Sequence, residues 1–305
     1  MVKLGMSPIC QSDLSALHQL LVDCGNYASQ QSGQSFQIFE KGVDDYVTTV
    51  DQLLDQKLLA GMQALFPDDG IITEENKATA KQFGQYTTST SIPSSHRPLW
   101  FVDPIDGTDD FIRGGEHYAV MVGQVLKGIP QAGWVYAPVA EHLVWGGPNW
   151  GLFEQKGGAE PRPLLPQQPI YDLDHPWAMV IGDKDERRFG SAIAHRFPQV
   201  QFLSLGSFGL KVLAVITGQA GLYIYLNGRV KLWDTSGPLA LAQAAGLVCC
   251  DLLGQPIRFT EPDVDPKTLV HHQPILVGWP RYIEQLREPL RDITTAIGLP
   301  RSKPN

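Results

Sequence analysis

The run Trp100-Phe101-Val102-Asp103-Pro104-Ile105-Asp106-Gly107-Thr108 ends an apolar stretch in two aspartates separated by Pro104 and Ile105. Carboxylates this close repel one another in a low dielectric, so a buried strand does not normally finish this way. A divalent cation relieves the repulsion, and aspartate oxygens suit Mg²⁺. Pro104 fixes φ and removes an N–H, which gives a stiff turn able to aim both carboxylates at one point. Gly107 lets the backbone approach a ligand closely, and Thr108 supplies a hydroxyl at what reads as a helix start. Free N–H groups at a helix start beside a cation make a phosphate site. A strand followed by an Asx turn would account for an isolated Asp-Gly, but not for the whole nonamer.

Three further acidic positions fall at the ends of expected elements, where binding residues concentrate. Glu74-Glu75 follows the short apolar strand Gly70-Ile71-Ile72-Thr73. Asp45 opens Asp45-Tyr46-Val47-Thr48-Thr49-Val50-Asp51 ahead of a helix, and Asp234 follows Lys231-Leu232-Trp233 at the start of another. Each also has a local explanation. Glu75 can be solvated, Asp45 or Asp51 can serve the helix N-terminus, and Asp234 can be an N-cap. Taken with Asp103 and Asp106, they supply the oxygen ligands that a two- or three-metal phosphoryl-transfer site needs.

The elements that must position these groups are legible from periodicity. Apolar spacing predicts helices over residues 12–29 and 50–65, the second with Thr49 and Gln52 at capping-box spacing. Residues 77–97 are polar and rich in Ser and Thr, and read as a loop. Strands over 117–126, 131–136, 142–145 and 151–154, separated by Gly and Pro turns, predict an antiparallel meander. Residues 157–174 carry Pro161, Pro163, Pro166 and Pro169 and read as a linker. Beyond it strand and helix alternate: 177–182, 184–196, 201–205, 208–218, 220–226 and 233–245 with Gly246 as C-cap, then a last helix over 281–297. The chain divides into an N-terminal α+β half, residues 1–160, carrying most of the metal ligands. A C-terminal α/β half, residues 175–305, carries Asp234 and the specificity residues. The fold class is α/β, layered α+β in character, and neither a solenoid nor all-β.

Composition excludes several functions. With 305 residues, 43% hydrophobic and 18% charged, the chain is globular with an ample core. No apolar run approaches the ~20 residues of a membrane helix. The first eight residues lack a signal core, so a cytoplasmic location is expected. Cys10, Cys24 and the adjacent Cys249-Cys250 show no metal-ligand spacing and are expected to be reduced thiols. A net charge of −8 opposes binding to a nucleic acid polymer, yet bound metal ions can invert the local potential for a phosphorylated substrate. No Walker loop or Gly-x-Gly-x-x-Gly occurs. A haloacid-dehalogenase-type site needs Asp-x-Asp, and this chain has Asp-x-x-Asp. His96, His117 and His142 lie in no catalytic spacing and are expected at surface or core positions.

In these motifs, taken in order from Asp45–Asp51 through Glu74-Glu75 and Asp103–Phe111 to Trp233-Asp234, the chain resembles the inositol monophosphatase superfamily of Mg²⁺-dependent, Li⁺-sensitive phosphatases over nearly its whole length. One departure stands out. Members usually continue Trp-Asp-x-Ala-Gly or Trp-Asp-x-Ala-Ala-Gly, whereas this chain has Trp233-Asp234-Thr235-Ser236-Gly237-Pro238, with Pro238 expected in a first helical turn. The resemblance implies an alternating α-β-α-β-α sandwich, also seen in fructose-1,6-bisphosphatases, and commonly a homodimer. It implies that Glu74, Asp103 and the Ile105 carbonyl hold an activating metal, and that Asp103, Asp106 and Asp234 hold a second. Asp45 would assist a third. Thr108, paired with Glu74, would position and deprotonate the attacking water, while backbone N–H groups of Gly107 and Thr108 bind phosphate. The implied cofactor is Mg²⁺, two or three ions per site, with Li⁺ inhibiting and Ca²⁺ competing. In-line attack by metal-activated water would proceed without a phosphoenzyme.

For the substrate, inositol monophosphatases usually carry a glutamate at the place of Asn227. Gly206–Lys211, Gly218–Tyr223, Gly107–Ile112 and Gly133–Val139 are more similar to bacterial 3'(2'),5'-bisphosphate nucleotidases. The expected substrate residues are Ser207, Lys211, Asn227 and Lys231, with Lys211, Lys231 or Arg229 meeting a second phosphate. For Lys211 a solvated helix position is the alternative. The expected reaction converts 3'-phosphoadenosine 5'-phosphate to AMP and phosphate. Inositol phosphates or a sugar bisphosphate remain open as substrates, and a noncatalytic metal-binding paralogue is the reading from another class.

Overall fold

The computed structural model describes residues 9–42, 45–76, 78, 83 and 97–299. In chain order these form α1 (Gln11–Gln31), β1 (Ile38–Gly42), β2 (Asp45–Thr48), α2 (Thr49–Leu65), β3 (Gly70–Thr73), β4 (Leu99–Asp106) and α3 (Thr108–Ile112). The antiparallel strands β5 (Ala119–Leu126), β6 (Ile129–Ala137), β7 (His142–Gly147), β8 (Gly151–Lys156) and β9 (Arg162–Pro163) follow. The second half contains β10 (Trp177–Ile181), α4 (Asp183–Arg196), β11 (Val200–Leu203), α5 (Phe208–Ile216) and β12 (Leu222–Tyr225). It ends with α6 (Leu232–Ala244), β13 (Val248–Cys250), β14 (Ile275–Gly278) and α7 (Pro280–Ile297).

Two sheets organise these elements. One has seven strands in the order β3-β4-β5-β6-β7-β8-β9, the other five in the order β11-β10-β12-β14-β13. Helices α1 and α2 cover the outer face of the larger sheet, α5 and α6 lie between the sheets, and α4 and α7 cover the far side. The result is the expected α-β-α-β-α sandwich, with one apolar core on each side of the larger sheet. Strand β4 is buried along its whole length, which explains its near-continuous apolar run. Its alternation sends Trp100 and Val102 towards α1 and α2, and Phe101 towards the inner helices.

Elements with strong periodicity lie within two or three residues of their expected bounds, and the meander is confirmed. Weakly patterned elements were not foreseen: exposed β1 with its partner β2, and β13 and β14. Arg162 and Pro163 within the proline-rich stretch form edge strand β9, where Pro163 needs no ladder donor. The capping box of α2 is formed by Thr48 and Asp51 instead of Thr49 and Gln52, because the strand continues through Thr48. Pro238 lies in the second turn of α6 and not the first, so the carbonyl of Asp234 loses its usual i+4 donor. The predicted 77–97 loop, with His96, falls almost entirely outside the described residues. Among the described residues no helix is long and apolar enough to cross a membrane.

Candidate metal and phosphate site

The two aspartates of β4 reach the same side of the sheet because the strand is irregular there. Asp103 pairs with Met121 and Asp106 with Ala119, so three steps along β4 match two along β5. A regular strand would turn positions three apart to opposite faces; the extra residue at Pro104-Ile105 cancels that. Gly107 then takes φ +96°, and a Cβ there would stand 2.8 Å from the His117 carbonyl oxygen. It caps the short helix α3, beginning at Thr108.

Asp234 arrives from the other half of the chain. It is the third residue of α6 and its Oδ2 accepts the Lys231 N–H at 2.6 Å, so the N-cap is Lys231 and Asp234 caps from the third helical position instead. Asp103, Asp106 and Asp234 each present a carboxylate oxygen within 4.8 Å of the others. Asp106 Oδ2 accepts the Gly209 N–H at 2.9 Å and the Ser207 hydroxyl, tying the site to the start of α5. Asp103 Oδ1 accepts the Ile105 N–H at 3.1 Å, whereas its Oδ2 is buried with no hydrogen-bond partner among the described residues. Burial, and then the charges of Glu74, Asp106 and Asp234, hold the Asp103 carboxyl well above the usual carboxylate range. Burial with Glu74 and Asp106 pushes Asp234 up to about 8. Burial also raises Asp106, against the hydrogen bonds from Ser207 and Gly209. A buried orphan oxygen inside a mutually repelling carboxylate triad fits a hard divalent cation.

The remaining acids are held by cations. Lys41 Nζ lies 2.8 Å from both Glu74 Oε1 and Glu75 Oε1 and 3.8 Å from Asp45 Oδ1. Burial opposes the charge on Lys41, but Glu74 and Glu75 outweigh it and hold its pKa above the ordinary lysine value. Burial and the Glu74 charge push Glu75 up to about 7. Lys231 Nζ reaches Asp45 Oδ2 at 3.9 Å. The Thr108 hydroxyl does not pair with Glu74: it lies 3.2 Å from Asp51 Oδ1 and 3.0 Å from the Ile105 carbonyl oxygen. Asp51 is therefore the residue that sequence reasoning missed. The sequence reading let it serve the helix N-terminus, which it does by accepting the Thr48 N–H, but its second oxygen serves Thr108. Burial pushes Asp51 up to about 6, against hydrogen bonds from Thr48.

A cavity of about 230 Å³ opens over this site, and Asp45, Glu74, Asp106, Asp234, Lys211, Asn227 and Lys231 all line it. Lys211 is buried, not solvated; its ammonium donates to the Gly206 carbonyl at 3.1 Å and stands 5.9 Å from the Tyr223 ring centre. Burial lowers its pKa, against Asp106, Asp183 and Asp185. Asn227 Oδ1 accepts the Tyr225 hydroxyl at 2.6 Å. Ser207 does not face the cavity as a substrate residue should. It is fully buried, caps α5 and donates to Asp106, so its contribution is to hold a carboxylate. His117 stands half-exposed near Asp110, and His142 bonds Glu154 within the meander, both outside the site.

Raised carboxylate pKa values have a consequence for the metal-free chain. The folded state holds these protons more tightly than the unfolded state, whose aspartates titrate near 3.8. Stability is thus fully present below that pH and is lost as pH rises through about 6 for Asp51 and about 8 for Asp234. Thermal unfolding in chelator should show Tm falling across this window, with saturating Mg²⁺ removing the slope. A flat profile in chelator would contradict the repulsion.

An all-carboxylate pit beside a helix start and a ring of lysines defines a metal-dependent phosphatase site, and comparison with known proteins agrees. The sequence model of the inositol monophosphatase family matches residues 11–294. The 3'(2'),5'-bisphosphate nucleotidase CysQ of Escherichia coli O157:H7 is 26% identical over 249 residues, covering 81% of this chain and 94% of that protein. The fructose-1,6-bisphosphatase/inositol-1-monophosphatase of Aquifex aeolicus is 27% identical over 251 residues, covering 81% and 86%. The structure of a Thermotoga maritima IMPase superposes with a TM-score of 0.70 at 18% identity, covering 94% of this chain and 99% of that one, which shows the shared fold. The chain belongs to the inositol monophosphatase family and is a phosphoric monoester hydrolase.

Proposed function

We propose that this enzyme hydrolyses a 3'(2'),5'-bisphosphate nucleotide to the nucleoside 5'-monophosphate and phosphate, using Mg²⁺. The observation that carries the metal reading is Asp103 Oδ2, without a hydrogen-bond partner among the described residues and set within the triad. Asp103, Asp106 and Asp234 would hold one ion, and Glu74, Asp103 and the Ile105 carbonyl another. Asp45 would assist a third. Bound ions would supply Lewis-acid polarisation of the phosphoryl oxygens and offset their charge. Binding at Glu74 requires Lys41 to yield that carboxylate.

The chain's own residues then have defined tasks. Thr108 accepts a hydrogen bond from the attacking water and passes its own proton to Asp51, whose pKa of about 6 suits a base near neutral pH. Gly107 and Thr108, at the start of α3, offer N–H groups to the phosphate. Thr108→Val should lower kcat by about 10²-fold with little change in KM, within the range for losing one proton-transfer group. Thr108→Ser should retain most activity, since the hydroxyl remains. Equal activity in Thr108→Val would remove the Thr108–Asp51 pair from the mechanism.

The nucleotide reading rests on the cavity wall. Lys184, Lys211, Arg229 and Lys231 line it together with the acids and suit a second phosphate, while Tyr223, Tyr225 and Trp233 offer aromatic surface for a base. The likeness to CysQ points the same way. The test is phosphate release from 3'-phosphoadenosine 5'-phosphate, inositol 1-phosphate and fructose 1,6-bisphosphate, with Mg²⁺ and with or without Li⁺. A Li⁺-suppressed preference for the nucleotide is expected. Preference for inositol or sugar phosphate would overturn the substrate, and no release from any would favour a noncatalytic paralogue. In the same assay, Lys211→Ala should lower kcat/KM for the bisphosphate by about 50-fold, the scale of one charge-assisted hydrogen bond, and for a monophosphate only a few-fold. Equal losses would make Lys211 a prop for the Gly206 carbonyl.

A further inference from the structure

The larger sheet is wider than the helix pair on its outer face. Helix α1 packs on β5 and β6, and β7 and β8 continue beyond it. A cavity of about 1170 Å³ lies between them, and it shares no lining residue with the catalytic cavity. Its walls are aromatic. The rings of Trp145 and Phe153 stack at 5.8 Å between centres, His18 lies 4.4 Å from Trp145, and Trp150 meets Trp134 edge-on at 5.8 Å. His18, Trp150 and Phe153 are partly exposed in these walls, with Trp145 and Trp134 buried behind them.

Polar groups in the walls show what the cavity would accept. The Trp134 indole N–H donates to His18 Nε2 at 3.2 Å, so a neutral His18 carries its proton on Nδ1, which has no partner among the described residues. Burial pushes His18 down to about 4, so the ring is neutral near pH 7. Asn26 Oδ1 accepts the Tyr136 hydroxyl at 2.8 Å, leaving the Asn26 amide N–H groups as donors. Among the described residues no lysine or arginine lines the cavity, and the one carboxylate there, Glu141, is exposed. Flat aromatic faces with amide and imidazole edges suit a planar ring bearing hydrogen-bonding groups. The absence of lining cations disfavours phosphates, in direct contrast to the catalytic cavity.

We propose that this cavity is a second small-molecule site, selective for an uncharged planar heteroaromatic ligand of purine-base size. The test is NMR of the tryptophan indole N–H signals of the full chain, assigned by single Trp→Phe variants, during titration with adenine and separately with AMP. Adenine should shift Trp145 and Trp150 saturably, and AMP should not. Ser15 lines the cavity from an exposed position of α1. Ser15→Phe should therefore weaken adenine binding by at least about ten-fold, near 1.4 kcal/mol, without changing phosphatase activity. No saturable shift with adenine, a shift confined to Trp233 at the catalytic cavity, or an equal response to AMP at Trp150 would each overturn the proposal. So would an unchanged response in a folded Ser15→Phe variant.

Discussion

Asp103→Asn should yield a metal-free chain that unfolds at a higher temperature than the parent and has almost no phosphatase activity. The two effects come from one carboxylate. Asp103 is buried, its Oδ2 has no donor among the described residues, and its charge is opposed by those of Glu74, Asp106 and Asp234. An asparagine removes the charge, keeps the oxygen that accepts the Ile105 N–H, and offers an N–H₂ group to the neighbouring carboxylates. Relief of an uncompensated buried charge is worth about 1–3 kcal/mol, or a rise of several degrees in Tm. Activity should fall by about 10³-fold, because the cation site loses charge where the reaction develops it. Mg²⁺ should raise the Tm of the parent and much less that of the variant. Differential scanning fluorimetry with chelator and with Mg²⁺, beside a phosphate-release assay, measures all three. A variant destabilised in chelator would show that Asp103 is held by interactions other than the metal.

Gly237→Ala should disable the enzyme from a position that touches no substrate. Asp234 can join Asp103 and Asp106 only if α6 lies almost against the larger sheet, and three glycines permit this. A Cβ on Gly237 would stand 2.5 Å from the Val122 carbonyl oxygen. A Cβ on Gly133 would stand 2.1 Å from the Gly237 carbonyl oxygen, and one on Gly123 would stand 2.1 Å from Ser236 Oγ. These contacts are with backbone or a buried hydroxyl and cannot yield cheaply, so the helix must move outward. The expected loss is about 3 kcal/mol in stability by denaturant unfolding. A displacement of Asp234 approaching 1 Å should cost about 10²-fold in kcat. Full stability together with full activity would mean that something other than this close approach seats Asp234. The interlock also accounts for the Ser236-Gly237-Pro238 variation. Small side chains at Ser236 and Gly237 are required by the sheet, and Pro238 costs a hydrogen bond within a helix held by packing on both sides.

Much of the site was legible because its chemistry is written locally. The Asp103–Thr108 run joins two carboxylates, a rigid proline and a glycine within six residues, and the structure brings Asp45, Glu74 and Asp234 to the same cavity as Asp106. Around them, α2 shows a clear 3.6-residue apolar stripe and β4 reads as one buried run, whereas α6 is buried on nearly every side. What failed was pairing. Thr108 was matched with Glu74, but it bonds Asp51, while Glu74 engages Lys41 from a hairpin whose exposed strand has no readable pattern. Ser207 was read as facing substrate because Gly206–Lys211 is similar to the bacterial nucleotidases; its burial follows from the seat of α5 against Asp106.

The sequence by itself determined which carboxylates converge on the site, the order of the main helices and strands, and the stiff turn that ends β4, because these depend on residue type and short-range spacing. Tertiary structure alone decided which hydroxyl meets which carboxylate, how closely α6 approaches the sheet, and how far the sheet extends past α1 to leave an aromatic cavity. Those outcomes depend on side chains that lie as far apart in the chain as Asp51 and Thr108, His18 and Trp134, or Asp106 and Gly209. Their meeting is set by the packing of layers, which no local pattern encodes.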